Sequence, residues 1–187
     1  MEGTPKMPGL AVIVAIIDNG KILLTKREDF EVWCLPGGGV EEGESVAEAG
    51  IREAKEETGI EVELTSLVGL YSRVGGMWND MHAVLFRARP LGGDLRLQPG
   101  ETIEVAYFPF EDLPKEILLG HQQRIADAIA NVCGVAMKQE VRMPDDHKPT
   151  RKELYELRDK SELSRQKFYM ERIARAEIRE VLEVGHV

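Results

Sequence analysis

Seven glutamates fall between Glu41 and Glu57, and three of them, Glu53, Glu56 and Glu57, are spaced i, i+3, i+4. On a helix that spacing gathers three carboxylates on one face. Like charges so placed destabilise a helix by roughly 0.2–0.5 kcal/mol per pair, which Arg52 and Lys55 would relieve only in part. The last turn of a helix also disfavours anions through its own dipole. A solvated acidic face is one reading of this cluster, and a bound cation is the other. Hard divalent ions take oxygen ligands, and Mg²⁺ is usually held by a few carboxylates together with substrate phosphates and water. Gly37, Gly38 and Gly39 lie just upstream. A glycine-rich turn lets backbone groups approach a ligand closely. Carboxylates and glycines together would form a cage for metal and phosphate.

Several elements must position that cage. Leu10 to Ile17 is a continuous run rich in Val and Ile and reads as a buried strand. Asp18-Asn19-Gly20 is a hairpin turn, because Asn and Gly tolerate positive φ. Lys21 to Arg27 returns as a strand, with Ile22 and Leu24 on one face and Leu23 and Thr25 on the other. A short strand over Val32 to Leu35 leads into the glycine turn. A helix over Glu44 to Thr58 follows, packed through Ala47, Ile51 and Ala54 and stopped by Gly59. Glu61 to Tyr71, Met81 to Ala88 and Glu101 to Phe108 alternate as strands do, and Pro90 to Gly100 reads as a loop. His121 to Val132 is an amphipathic helix. Composition shifts around Met143 to Pro149, and Thr150 to Val184 is charged and helical in pattern. The order predicts an α/β fold, a mixed sheet between helices, with a helical C-terminal extension.

The chain of 187 residues suits one domain over 1–140 and a linker with the helical extension over 141–187. An apolar fraction of 43% supports one packed core. The net charge of −9 disfavours general binding to nucleic acid, and it would repel a nucleotide as well unless cations intervene. Cys34 and Cys133 fit neither a zinc site nor a disulfide framework and read as small buried hydrophobes. The first apolar run is far shorter than the roughly 20 residues a spanning helix needs and lacks a signal-peptide layout. A cytoplasmic protein with no membrane contact is expected.

From Gly38 the chain reads G-x5-E-x7-R-E-x-x-E-E-x-G, with fixed points at Gly38, Glu44, Arg52, Glu53, Glu56, Glu57 and Gly59. This resembles the signature of the Nudix, or MutT-like, hydrolases. Trp33-Cys34-Leu35-Pro36-Gly37-Gly38 is similar to the family's usual lead-in, and Phe108 to Pro114 to its usual exit from the last core strand. Ala54 fills one aliphatic position of the pattern, a small departure. The resemblance covers about residues 8 to 135.

The resemblance implies an α/β/α sandwich and hydrolysis of a diphosphate bond in a nucleoside diphosphate derivative, with Mg²⁺ or Mn²⁺. It implies Glu53, Glu56 and Glu57 as metal-binding carboxylates, the Gly38 carbonyl as a further ligand, and a structural Glu44–Arg52 pair. The general base is left among a box glutamate, Glu101 and Glu104, with Glu101 favoured because it follows a glycine-bearing loop and opens a strand. Arg27 is a candidate phosphate contact and Trp78 a candidate for stacking on a base. His82 and His121 are given no catalytic role. The segment Tyr71 to Gly76 lacks the proline that ADP-ribose hydrolases of the family often carry downstream of the box. A nucleotide sugar or ADP-ribose is the first expectation for the substrate. A nucleoside triphosphate is the second, and a non-catalytic binding module the third. The C-terminal helices would pack Leu154, Leu157, Phe168, Tyr169 and Ile173 on the core or form the interface of a homodimer.

Overall fold

The computed structural model describes residues 8–77, 79–144 and 149–186. Its central strand, β1 (Gly9–Asp18), explains the apolar run at the start of the chain. Val14 and Ile16 face one layer of the core, while Ile13 and Ala15 face the other. A strand covered on both faces reads as continuous hydrophobicity rather than alternation. The turn at Asn19 (φ 46°) and Gly20 (φ 75°) leads into β2 (Lys21–Arg27), which pairs with β1 only at its start. Beyond that point β2 diverges to pair with β3 (Trp33–Cys34) and with β7 (Thr102–Pro109).

The other edge of β1 runs parallel to β6 (Met81–Gly92), which pairs antiparallel with β5 (Glu61–Gly75). β5 in turn lies parallel to β8 (Val135–Arg142), and β9 (Glu177–Val184) closes that edge. Helix α1 (Val46–Thr58) covers one face of the sheet through Ala54, and α2 (His121–Ile129) covers the other through Ile125 and Ala128. The result is the expected mixed sheet between helices. Helices α3 (Arg151–Asp159) and α4 (Arg165–Arg172) form the C-terminal arm.

Several expectations need correction. Gly37–Gly39 is not a free turn but a short strand, β4, paired antiparallel with Ala11–Ile13 of β1. The buried face of α1 runs through Ala49, Gly50, Glu53 and Ala54, and Ile51 is 43% exposed. Gly50 belongs to this face because a Cβ there would sit 3.2 Å from methyls of both Val12 and Val14. Cys133 is exposed, unlike the buried Cys34. Residues 177–184 are a strand rather than part of a helical tail, and residues 135–142, to which the sequence reading gave no element, are its ladder partner. Val135, Met137, Gln139 and Val141 alternate inward, but the buried amide of Gln139 masks the pattern. It is satisfied there by Arg124, the Gly120 carbonyl and Glu180 of β9. β9 bears the charges expected of a sheet edge, which resemble a solvated helix when read along the chain.

Helix α1 starts later than Glu44. Ser45 is its N-cap in a reciprocal capping box with Glu48, a device worth about 1 kcal/mol. Gly59 ends it in the left-handed region at φ 79°. The arm packs on its own chain: Leu154, Phe168, Tyr169 and Ile173 form a third cluster with Phe30 and Val32 of the β2–β3 connection. Leu157 is not part of that cluster and is half exposed.

Candidate active site

The capping box and the Gly59 stop fix the register of α1, and so fix which carboxylates face β4. Glu53 is buried to 9% exposure and Glu57 is largely covered, whereas Glu56 is half exposed. One guanidinium organises most of this charge. Arg52 donates from Nη2 to Glu44 Oε1 (2.7 Å) and to the Gly39 carbonyl (3.0 Å). It donates from Nη1 to Glu53 Oε1 (2.9 Å) and Glu56 Oε2 (3.1 Å). The Glu44–Arg52 pair therefore ties the loop before the helix to the helix itself.

Glu57 is treated differently. It makes no ion pair among the described residues, and its Oε2 accepts a hydrogen bond from the Gly37 backbone N–H at 3.0 Å. Burial, reinforced by the neighbouring charges of Glu53 and Glu101, pushes its pKa up to about 7. The Gly37 bond and Arg27 offset this only in part. Burial also raises Glu53, with Glu56 and Glu101 adding to it against the pull of Arg52. Carboxylates packed this closely resist ionisation together.

Gly38 makes room for this arrangement. A Cβ at that position would lie 2.6 Å from the Glu53 carboxyl carbon, so only glycine lets the carboxylate rest on the strand. Gly37, Gly38 and Glu57 line a cleft of about 600 Å³ with Thr25, Gly100 and Glu101. Glu101 thus joins the box carboxylates. Glu104 is turned to Lys26 at 3.7 Å, half exposed, and does not line that cleft.

Arg27 also lines the cleft, but it is forked onto Asp29 through Nε (2.9 Å) and Nη2 (2.6 Å). Burial works against both charges and the pairing outweighs it, so Arg27 is raised and Asp29 lowered. Trp78 lies outside the described residues. His121 is buried, and its Nδ1 accepts from the Leu35 N–H at 3.2 Å, which makes it a core group that burial keeps neutral.

The sequence reading missed Asp29 and the arm residues Arg151, Tyr155, Arg158 and Arg165, all of which line the same cleft. The seven-residue spacing of Arg151 and Arg158, which puts them on one helix face, was the available signal. Beside the cleft lies a second cavity of about 700 Å³, walled by Phe30, Met77, Leu118 and Leu119 and by Arg73 and Arg124.

Comparison with known proteins agrees with this geometry. The NUDIX domain family model matches residues 7–130. The chain is 36% identical over 124 residues to an ADP-ribose pyrophosphatase of Methanocaldococcus jannaschii, covering 64% of this chain and 72% of that protein. It is 31% identical over 116 residues to a MutT-like protein of Streptomyces ambofaciens, covering 62% and 73%. Among solved structures, a MutT NUDIX hydrolase from Burkholderia pseudomallei superposes with a TM-score of 0.61 at 28% identity, covering 65% of this chain and 98% of that one. An ADP-ribose pyrophosphatase from Streptococcus suis does so at 0.57 and 28%, covering 67% and 92%. Fold, box geometry and family match converge on one conclusion: the chain belongs to the Nudix family, whose members work with divalent metal ions, and it is a Nudix hydrolase.

Proposed function

We propose that the chain hydrolyses the diphosphate linkage of a nucleoside diphosphate derivative, of the ADP-ribose or nucleotide sugar class, with Mg²⁺ or Mn²⁺ bound beside Glu57. The observation that carries this reading is the uncompensated charge of Glu57. Arg52 serves Glu44, Glu53 and Glu56, while the largely buried Glu57 makes no ion pair among the described residues. A carboxylate so placed asks for a cation from outside the chain.

The donor set fits a hard ion. Glu53, Glu56 and Glu57 with the Gly38 carbonyl offer only oxygen, which suits Mg²⁺ or Mn²⁺. As placed, Glu53 and Glu56 are held by Arg52, and no three acidic, imidazole or thiol groups among the described residues converge on one point. When bound, the ion would neutralise phosphate charge and acidify a water. Glu101, which lines the same cleft, would serve as the general base through its carboxylate. Arg27, preset by Asp29, faces the cleft as a phosphate contact.

The substrate class follows from shape and kinship. The cleft and the second cavity share a wall, so there is room on both sides of a diphosphate. A triphosphate ends at its phosphates and would leave one side unused. The relative named for ADP-ribose points the same way. A Bacillus subtilis relative, 33% identical over 117 residues, carries an 8-oxo-dGTP diphosphatase name, so a triphosphate belongs in the test. The free thiols of Cys34 and Cys133 suit a reducing, cytoplasmic setting. Among the described residues no helix is long and apolar enough to cross a membrane. The arm buries most of its apolar residues within the chain, which leaves less of it for a homodimer.

The test is a panel of ADP-ribose, nucleotide sugars and nucleoside triphosphates with Mg²⁺ or Mn²⁺, run beside Glu57→Gln. Turnover should need the ion, favour the diphosphate-linked substrates and fall by at least about 100-fold in the variant. Undiminished turnover in excess chelator would overturn the mechanism.

A further inference from the structure

We infer that the C-terminal arm completes the active site of its own chain, and that Arg151 of α3 is a substrate contact that sets affinity for the diphosphate-linked ligand. The inference rests on the cleft beside Glu57 being the place of hydrolysis. It goes beyond the family, because α3 and α4 lie past residue 130, where the family match ends.

The arm is bolted to the turn that follows β2. Arg158 Nη1 donates to the Asp29 carbonyl at 2.7 Å, Arg165 Nη1 to the Glu28 carbonyl at 2.9 Å, and Gln166 Nε2 to the Glu31 carbonyl at 3.3 Å. The Tyr155 hydroxyl donates to Asp29 Oδ2 at 3.0 Å. Beneath these bonds Phe30 packs against Tyr155 and Tyr169 at ring separations of 5.7 and 5.4 Å. The arm therefore has a fixed position over the cleft.

The three arginines that it brings to the cleft are not equivalent. Arg158 is buried, gives Nε to Asp159 and lies 4.6 Å over the Tyr155 ring. Arg165 is anchored on the Glu28 carbonyl. Both serve the architecture. The Arg151 side chain is 68% exposed. It gives Nε to the Tyr155 hydroxyl at 2.8 Å, and its Nη2 stands 4.0 Å from Asp29, beyond hydrogen-bond range. Asp29 is already satisfied by the Arg27 fork and by Tyr155. Arg151 is thus held by one hydrogen bond, by stacking on the Tyr155 ring and by the 4.0 Å ion pair, and it lines a site that must receive a polyanion in a chain of net charge −9.

Its position in the fold identifies the ligand atoms. The residues common to the walls of both cavities are Arg27, Asp29, Arg151 and Tyr155. A molecule with a diphosphate in the cleft and a second moiety in the neighbouring cavity crosses between the two at this gate. Arg27 borders the gate from the core and Arg151 from the arm, so the phosphates meet a guanidinium on either side. Tyr155 is the positioning residue that aims Arg151.

The experiment compares wild type, Arg151→Gln and Arg151→Lys in the full chain. It reads kcat and KM for ADP-ribose, and it reads Kd for ADP in excess chelator by calorimetry. Losing a charged hydrogen bond to phosphate should raise KM and Kd on the order of ten- to a hundredfold, with kcat within about threefold. Arg151→Lys should recover part of the loss, and the melting temperature should stay near that of wild type. KM and Kd within about twofold of wild type in Arg151→Gln would overturn the inference. Glu57→Gln, run in parallel, separates the two readings. If it fails to reduce hydrolysis, the catalytic assignment falls, and the ADP titration still decides the role of Arg151.

Discussion

Glu57 lets the cost of a prepared site be measured before any substrate is added. Its folded-state pKa is raised from 4.5 to about 7, chiefly by burial. The folded chain therefore holds a proton that the unfolded chain has released between those values, and stability is lost as the pH rises through that window. The full shift corresponds to about 3 kcal/mol, and partial solvent access reduces it to ~1.5–3 kcal/mol at pH 8. Glu57→Gln removes the ionisation while its amide oxygen can still accept the Gly37 N–H bond. With chelator present, the variant should melt about 4–10 °C above wild type at pH 8. At pH 5, half a unit above the unfolded value, the gap should shrink to about a quarter of that at pH 8. Glu53, raised in the same direction, adds to the slope of both proteins and does not change the comparison. Adding Mg²⁺ or Mn²⁺ at pH 8 should stabilise wild type more than the variant and narrow the gap. The assay is a thermal melt from pH 5 to 8, with and without the ion. A gap that is absent, reversed or independent of pH would refute the reasoning, because burial of Glu57 would then not be what raises its pKa.

Two further changes probe the frame around the site. Gly38→Ala drives a methyl into the Glu53 carboxylate, whose flexible end can swing away. Turnover should fall at least about tenfold while the urea midpoint changes little. Tyr169→Phe removes the hydroxyl oxygen of a fully buried residue that accepts the Leu119 N–H at 2.7 Å. It should cost ~1–3 kcal/mol in urea titration, and an unchanged midpoint would show that this bond does not fasten the arm.

The legible part of the molecule is the part in which partners are close in sequence. Helical spacing put Glu53, Glu56 and Glu57 on neighbouring turns of one helix, and the Glu44–Arg52 pair that the resemblance implied is made. The β1 and β2 pattern, the Asn19-Gly20 turn and the stop at Gly59 are local chemistry, and all stand in the structure. Elsewhere local signals were overridden. The three glycines read as a turn because nothing nearby announced that β1 would supply their hydrogen bonds. Strand β9 read as helix because its ladder partner, β8, lay hidden behind the buried Gln139. Asp29 and Tyr155 meet across 126 positions, and no periodicity encodes that contact.

The crowding of acidic charge is resolved unevenly, and the unevenness is informative. A single planar fork, Arg52, reaches three carboxylates and a backbone carbonyl. Lysine, with a point charge and no fork, could not hold that set in one geometry. The charge of Glu44, Glu53 and Glu56 is therefore compensated from within the chain. Glu57 gets one backbone N–H and burial instead. Had the cluster been a solvated face, each carboxylate would have turned to water, and none would have an elevated pKa beneath a glycine strand. The fold instead concentrates the unmet demand for positive charge at one buried position on the floor of a cleft. The arginines of its arm line the same cleft. A nucleotide diphosphate accompanied by a divalent ion brings both the cation that Glu57 lacks and a stronger anionic partner for Arg151, whose ion pair with Asp29 spans 4.0 Å.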